Sequence, residues 1–517
     1  MTFLRSSGIL LHPTSLPGRF GIGDLGPDAY AFADFLSAAG QSLWQMLPLG
    51  PTGYGDSPYA CYSAFGGNTL LISPHRLVAD GLLRQEDLAG VPESLDGRVD
   101  FEAVGKFKEL ILRDAFTAFK RSSDQDLQVL FQEFCEGNAH WLEDYALFRA
   151  LKDQQGGVAW NQWDAALVRR EPGAIQSAQK DLSEQIEAQK FYQFLFFRQW
   201  FDLKSYCNDR GIKIVGDIPI FVAHDSADVW TNPDQFKLNP DGTPVVVAGV
   251  PPDYFSKTGQ LWGNPLYNWK RMLADGFAWW IERVKSTLRT VDIVRIDHFR
   301  GFVACWEIPG GDQTAERGRW VEAPGRELFL AIRAALGELP IIAEDLGVIT
   351  PEVEKLRDDC GFPGMRILQF AFSSDSGNHD LPHNYHSNVV VYTGTHDNDT
   401  TVGWFQSVAG EGSTRDSAQI EIEREFCLHY LNTDGKEIHW DFIRAVWSSV
   451  ANTAVVPLQD LLGLGTDARM NLPNSTAGNW SWRFKAGDLN DELVKRLRHL
   501  TALYGRVAKA HRSDGTN

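Results

Sequence analysis

Three acidic residues, each placed after a short apolar run, are the candidates for chemistry in this chain. Asp297 ends the run IVRID, Glu344 follows PIIA, and Asp397 follows VVVYTGTH. Breaking a glycosidic bond with retention needs two carboxyl groups about 5–5.5 Å apart, because one attacks the anomeric carbon while the other protonates the departing oxygen. The ends of two neighbouring strands provide that separation, and a third carboxylate then remains to hold sugar hydroxyls.

The residues around these acids predict how the two jobs are divided. Arg295 precedes Asp297 by two positions, so both side chains point to the same side of a strand and the guanidinium favours an ionised Asp297, as a nucleophile requires. Glu344 would face that negative charge in a closed cleft and is therefore expected to be protonated, as a general acid requires. The alternative is that Arg295 and Asp297 form a buried ion pair that only braces the fold.

The elements that must position these acids form a repeating pattern. Short apolar runs, each ending at a polar residue and a loop, alternate with segments of helical periodicity, which predicts βα units and a parallel sheet. The runs lie at 9–11, 44–47, 212–215, 293–294, 341–343, 365–370, 389–392 and 454–456. Eight such units predict an α/β fold, a (β/α)8 TIM barrel, in which functional groups lie at the carboxyl ends of the strands.

Two stretches do not fit the simple repeat and are predicted to be inserted subdomains. Residues 74–190 are charged and helical without a strand signal, and residues 224–267 are rich in Pro, Gly, Asp and aromatic residues, as expected of a loop insertion at the active site. The barrel is then built from 1–73, 191–223 and 268–517. Amphipathic periodicity predicts single helices over 273–284, 327–336 and 491–507.

Composition excludes several classes of partner and site. The formal net charge of −18 disfavours nucleic acid and anionic membranes, whereas a long neutral polymer fits, and the 17 Trp residues permit stacking on sugar rings. The six Cys residues include no CxxC pair, so neither a zinc site nor a disulfide framework is predicted. We expect no metal and no cofactor. The apolar stretch at 8–11 is too short for a signal sequence and no apolar run reaches 18 residues, which predicts a cytoplasmic protein.

Taken together, the motifs resemble those of a known family. RIDH at 295–298, AED at 343–345 and HD at 396–397 are similar to the catalytic segments of the α-amylase superfamily. GILLHPTS at 8–15, GDIPIFVAHD at 216–225, QLWGNP at 260–265 and GNWSWR at 478–483 more specifically resemble the 4-α-glucanotransferases (amylomaltases or disproportionating enzymes) of glycoside hydrolase family 77. The resemblance covers nearly the whole chain.

The resemblance implies a function and a set of site residues. It implies transfer of α-1,4-glucan segments from a glucan or maltooligosaccharide donor to the 4-OH of a glucan or glucose acceptor, through a covalent glucosyl-enzyme. Asp297 would be the nucleophile, Glu344 the acid/base and Asp397 the stabiliser of the transition state. The other implied residues contact sugar: Asp217, Arg295, Asp345, His396 and Asn471 in the donor site, and Tyr59, Gln260 and Trp262 along the glucan groove. His12 and the other isolated histidines are interpreted as packing or surface residues.

Two other functions are compatible with the same carboxylates. An α-glucan hydrolase would use water as the acceptor, and a non-catalytic glucan-binding or regulatory protein would use the barrel without chemistry. Aromatic residues in the loops, Tyr54, Tyr59, Phe255 and Trp262, favour transfer, because they can hold a second sugar and exclude water. The presence of all three carboxylates argues against the non-catalytic alternative.

Overall fold

The fold is known from a computed structural model that describes residues 3–91, 97–252, 258–410, 415–473, 475 and 478–507. Its strands alternate with helices along most of the chain. In chain order they are β1 Ser6–Leu10, β2 Leu43–Gln45, β3 Lys213–Pro219, β4 Val246–Val250, β5 Gln260–Pro265, β6 Ile293–Asp297, β7 Ala304–Pro309, β8 Arg319–Glu322, β9 Ile341–Ala343, β10 Gly364–Ile367, β11 Val389–Tyr392 and β12 Thr453–Pro457.

Eight of these strands form one parallel sheet in the order β10-β11-β12-β1-β2-β3-β6-β9. The two ends of the sheet approach each other, because the amide of Ala343, the last residue of β9, donates to the Pro363 carbonyl before β10 at 2.9 Å. The sheet is therefore a nearly closed barrel, and the predicted TIM-barrel class is confirmed. Each of the eight predicted apolar runs overlaps one barrel strand.

Side chains alternate along the strands between two apolar layers. One cluster fills the barrel interior and includes Leu10, Val215 and Ile342, whereas residues at neighbouring positions such as Ile9, Ile214 and Ile341 belong to the larger cluster between the sheet and the helices. Inward-facing positions near the strand ends carry polar residues instead. The site therefore lies on top of a packed interior.

The helices surround the barrel and build one of the two insertions. They are α1 Pro27–Ala38, α2 Pro74–Ala79, α3 Phe101–Arg121, α4 Gln125–Gly137, α5 Ala139–Gln154, α6 Ala165–Val168, α7 Pro172–Asp181, α8 Ser183–Asp209, α9 Ala227–Thr231, α10 Trp269–Ala274, α11 Ala278–Thr290, α12 Gly325–Leu336, α13 Pro351–Cys360, α14 Thr401–Gln406, α15 Ser417–Leu431, α16 Ile438–Ser448, α17 Leu458–Leu461 and α18 Asp491–Leu503. No helix in the described ranges is long and apolar enough to cross a membrane.

The prediction of one continuous helix over 273–284 is wrong. The periodicity over 273–284 predicted a single helix, but the structure has two, α10 and α11, because Gly276 and Phe277 take positive φ angles of 71° and 62°. A left-handed pair ends one helix and begins the next, while the apolar spacing continues across the break. The helix predicted over 327–336 is α12, and the one predicted over 491–507 ends four residues early as α18.

The two predicted insertions differ in their structure. Helices α2 to α7 lie within 74–190, and α8 runs across the predicted boundary at 190 without interruption. The stretch 224–267, expected to be a loop, contains β4 and β5 of a second, antiparallel sheet with the order β5-β4-β7-β8. Its other two strands come from the segment after β6. The two halves of the sheet, β4 with β5 and β7 with β8, join through pairing across more than fifty residues, and nothing local in the sequence indicates that they meet.

We expect the barrel to be intolerant of a methyl group at Gly8, where β1 lies against β2. A Cβ there would overlap the side chain and carbonyl of Leu43, so Gly8→Ala should lower the free energy of unfolding by about 1–3 kcal/mol. Urea unfolding followed by circular dichroism measures this change. Gly105→Ala is the matched control, because nothing lies within 4 Å of its Cβ in the middle of α3 and the change should stabilise by up to about 1 kcal/mol. Equal effects of the two variants would contradict the packing argument.

Candidate active site

Arg295, inside the barrel, connects two acids on neighbouring strands. Its Nη1 donates to Asp217 Oδ2 at 2.5 Å and its Nη2 donates to Asp297 Oδ1 at 2.9 Å. The pairing of β3 with β6 sets this arrangement, because Asp217 lies directly opposite Arg295 in the register. The Arg295 side chain is 4% exposed and that of Asp217 is fully buried, whereas 31% of the Asp297 side chain remains exposed. Asp297 is therefore the acid of this group that a ligand can reach.

Tyr59 links this group to the carboxyl end of β11, on the other side of the barrel. Its hydroxyl donates to Asp217 Oδ2 at 2.7 Å, and its ring stacks on His396 with centroids 5.1 Å apart and 16° between the planes. Trp480 packs against both rings at 5.9 Å. The imidazole of His396 is thereby held parallel to an aromatic ring at the carboxyl end of β11.

Glu344 lies beside Asp297. Ile296 and Ala343 are partners in the β6–β9 register, so the two acids that follow them occupy facing positions on strands about 4.8 Å apart. Glu344 Oε2 accepts from the His298 amide at 2.7 Å and Oε1 accepts from the Leu346 amide at 3.0 Å. His298 has φ 51°, a left-handed conformation that bends the backbone directly after Asp297.

The environment of Glu344 favours its neutral form. Burial, and secondly the negative charge of Asp297, raise its pKa to about 8, against the opposing effect of Arg295. The expected direction is thus confirmed, although burial contributes more than the neighbouring charge that the sequence indicated. A buried carboxyl group with a raised pKa and an acid bound by Arg295 lie side by side.

Asp397 occupies a more open position across the cleft. Its side chain is 49% exposed, its Oδ1 accepts from Asn471 Nδ2 at 2.6 Å, and the same oxygen lies 3.4 Å from His396 Nε2. Arg469 fixes the backbone by donating to the Asp397 carbonyl at 2.7 Å. The structure therefore brings Asp397, His396 and Asn471 together, as predicted.

The structure describes some of the loop aromatic residues that were predicted to hold a second sugar and exclude water. Trp262 on β5 is 38% exposed, donates to Gln260 Oε1 at 3.1 Å, and packs edge to face on the His298 ring at 4.7 Å. That contact places Trp262 next to the residue following Asp297. Tyr54 is highly exposed, and Phe255 lies outside the described residues.

Asp345 differs from the other predicted sugar contacts. Its side chain is 1% exposed and forms an ion pair with Arg357, while its Oδ1 accepts from the Met365 amide at 2.6 Å. Arg366 lies 3.5 Å away. The carboxylate is therefore occupied by protein groups, and this geometry supports a role in joining β9 to β10 rather than contact with a sugar.

Three contributors to the site were not identified from sequence. The His298 amide acts through its backbone, so no side-chain type indicated it. Trp480 lies in the GNWSWR motif and was available as a signal, but its contact with His396 joins segments 84 residues apart. His12, interpreted as packing, is buried and lines a cavity with His396. Within the described ranges, no group of three or more His, Cys, Asp or Glu residues is arranged to hold a metal ion.

Comparisons with known proteins agree with this geometry. The family model described as 4-alpha-glucanotransferase, glycoside hydrolase family 77, matches residues 11–490. The chain is 54% identical to a 4-alpha-glucanotransferase of Synechocystis sp., covering 97% of this chain and 98% of the relative, and 50% identical to one of Thermus thermophilus, covering 98% and 100%. An amylomaltase from Streptococcus agalactiae, solved in complex with acarbose, superposes with a TM-score of 0.92 at 42% identity, covering 98% of this chain and 100% of that one.

The raised pKa of Glu344 predicts a pH-dependent cost to folding. Between the ordinary value of 4.5 and about 8 the unfolded chain loses this proton while the folded protein keeps it, so stability falls by up to about 1.4 kcal/mol per pH unit over that window. Glu344→Gln removes the effect and should be more stable than the native protein at pH 8, with a difference that shrinks toward pH 5. Urea unfolding at both pH values measures it. Glu425→Gln, on an exposed position of α15, is the control and should change the stability equally at both pH values. A difference in stability for Glu344→Gln that does not depend on pH would contradict the raised pKa of Glu344.

Proposed function

The chain belongs to the 4-alpha-glucanotransferases of glycoside hydrolase family 77, and we propose that Asp297, Glu344 and Asp397 carry out its transfer reaction. The enzyme moves segments of α-1,4-glucan from a donor to an acceptor glucan or glucose. The observation that carries the residue assignment is that, at adjacent strand ends, an acid bound by Arg295 lies beside a buried carboxyl group whose pKa is raised. Retaining glycosyl transfer needs those two states side by side.

Asp297 attacks the anomeric carbon of the donor in the first half-reaction. Support for this role comes from its hydrogen bond to Arg295 and from its partial exposure in the cleft. A bond forms between a carboxylate oxygen and the anomeric carbon, and the bond to the departing glucan oxygen breaks. The product is a glucosyl ester.

Glu344 supplies the proton that the departing oxygen needs. Its raised pKa keeps that proton available near neutral pH, and the amides of His298 and Leu346 hold the carboxyl in place. Once ionised, the same carboxylate accepts the proton of the acceptor 4-OH in the second half-reaction. The ester at Asp297 then breaks, and the new α-1,4 bond forms with retained configuration.

The remaining polar residues bind the sugar at the donor site. Asp397 and His396 offer an acceptor and a ring nitrogen 3.4 Å apart, and Asn471 orients Asp397 from behind. Asp217 is fully buried, so it acts by holding Tyr59 and Arg295 in place, and a sugar hydroxyl would reach its unpaired Oδ1 only if these residues moved.

Binding must favour a sugar acceptor over water, because water is far more abundant than sugar. With water at ~55 M and an oligosaccharide at ~10 mM, a tenfold excess of transfer over hydrolysis requires about 6 kcal/mol in favour of the sugar hydroxyl. A few sugar contacts suffice if the acceptor is held in attack geometry and bulk water is excluded. Trp262, with Gln260 beside it, is the described residue best placed to supply such a wall.

We propose that the enzyme works in the cytoplasm. All six cysteines are free thiols, including Cys61 near Tyr59. Unpaired cysteines in such number are typical of a reducing compartment.

The insertion 224–267 is proposed as the active-site segment, since it carries Gln260 and Trp262.

Replacing Asp297 with Asn should abolish transfer and hydrolysis together, by on the order of 10⁴-fold or more, because the acid that we propose forms the ester is then lost and neighbouring Glu344 is proposed to act as the proton donor. Chromatography of the products from maltotriose measures both activities. A slow fluorinated donor should trap the native enzyme, and mass spectrometry of its peptides should locate the label on Asp297. A label on Glu344 or Asp397 would overturn the assignment.

Replacing Trp262 with Ala should lower transfer and raise the ratio of hydrolysis to transfer by about tenfold, because water then reaches the ester more easily. The ratio of free glucose to longer products from maltotriose measures this. Trp320→Ala is the matched control: Trp320 is 41% exposed on β8, the opposite edge strand of the same sheet. An unchanged ratio with a lower overall rate in Trp262→Ala would show that Trp262 only packs the sheet.

A further inference from the structure

His298 contacts both the proposed general acid and the proposed wall of the acceptor site. It directly follows Asp297, and its backbone amide donates to Glu344 Oε2 at 2.7 Å. Its ring packs edge to face on Trp262, with the centroids 4.7 Å apart and 84° between the planes. The proposed reaction uses the amide of His298 and leaves its side chain without a role.

The backbone conformation of His298 allows both contacts from one residue. Its φ of 51° and ψ of 49° are left-handed, a conformation that is uncommon for residues other than glycine. The amide turns toward the end of β9, where Glu344 lies, while the ring lies against β5 of the second sheet. Aromatic residues take this conformation elsewhere in the chain, at Phe277 and Trp480, whose φ angles are 62° and 63°.

Gly301 leaves room for the His298 ring. A Cβ placed on Gly301 would lie 3.2 Å from His298 Cδ2 and 2.8 Å from the side chain of Ile220, so a larger residue there would press on both. Burial lowers the pKa of His298 to about 4, although the charge of Asp297 opposes this change. The imidazole is therefore neutral near pH 7, and it packs against the glycine and Trp262 as an uncharged aromatic ring.

Trp262 has few other contacts that could hold its indole in one orientation. It lies on β5, an edge strand of the second sheet, and is 38% exposed. Its indole N–H donates at 3.1 Å to Gln260, a residue of the same strand. Among the residues that the structure describes, the aromatic ring in contact with Trp262 is that of His298. Such an edge-to-face pair favours the contacting orientation by about two- to tenfold.

We propose that His298 is a positioning residue for the choice of acceptor: its ring holds the indole of Trp262 in the orientation that excludes water, while its amide holds Glu344. The inference rests on the proposed function of Trp262 as the wall of the acceptor site. It connects the acid and the wall through the residue next to the nucleophile. Loss of the ring should therefore favour water over sugar as the acceptor at the ester.

Two substitutions separate the ring of His298 from its amide. Asn tolerates the left-handed conformation and keeps the amide, but it has no ring. Phe keeps a ring that can pack on Trp262 and has no ring nitrogen. His75→Asn is the matched control, because His75 in the helical insertion also packs edge to face on an aromatic ring, that of Phe20, with centroids 4.8 Å apart. Urea unfolding shows whether each variant folds.

The ratio of hydrolysis to transfer from maltotriose measures the effect, and it does not depend on the first half-reaction, because both products form from the same ester. His298→Asn should raise this ratio by about tenfold, as expected for Trp262→Ala. His298→Phe and His75→Asn should stay within about twofold of the native ratio. A native ratio in His298→Asn would overturn the proposal. A ratio in His298→Phe as high as in His298→Asn would also overturn it, because a ring nitrogen would then contact the acceptor directly.

The double variant His298→Asn/Trp262→Ala tests whether the two residues act together. If His298 acts through Trp262, the ratio in the double variant should lie within about twofold of that in Trp262→Ala alone. Independent effects would multiply to about a hundredfold, and that result would contradict the proposal. An unchanged ratio in Trp262→Ala would instead refute the proposed wall, so the two failures are distinguishable.

Discussion

The site depends on one buried guanidinium. Arg295 carries a positive charge inside an otherwise apolar barrel, and two carboxylates, Asp217 and Asp297, compensate it. An unpaired charge there would cost several kcal/mol, so the three groups must be positioned together. This requirement fixes the register of β3 against β6, and from Asp217 the same chain of contacts continues through Tyr59 to His396 and Asp397.

Arg295 is bound to two of the three neighbouring acids and only weakly compensates the third, Glu344. Its two strong hydrogen bonds are used on Asp217 and Asp297, and Glu344 receives only backbone amides. Burial of Glu344 and the charge of Asp297 raise its pKa, and Arg295 only partly opposes them. The proposed division between nucleophile and acid thus follows from the burial of Glu344 and from the use of Arg295 on the other two acids.

The barrel strands and most residues of the candidate site could be predicted from the sequence, because both produce patterns that are local in the chain. A buried strand is a continuous apolar run, and the acid that follows it is adjacent in the chain, as at Asp297 and Glu344. The second sheet, the break at Gly276 and the occupied carboxylate of Asp345 depend instead on partners distant in sequence or on a backbone angle. Asp345 shows the limit most clearly: it is an acid adjacent to Glu344 in the sequence, and only the alternation of strand faces places Glu344 beside Asp297 and Asp345 against Arg357.

The second sheet also has a consequence for how this enzyme can change in evolution or by design. Strand β4 lies in the segment after β3, and strand β7 lies in the segment after β6. The two strands pair, although β6, the strand that carries Asp297, lies between them in the sequence. The wall bearing Trp262 is therefore a joint product of two loops. The wall cannot be transferred between barrels by exchanging one loop. A graft of 224–267 alone would leave one edge of β4 unpaired. A change in the length of 304–322 would move Trp262, which lies in the other loop.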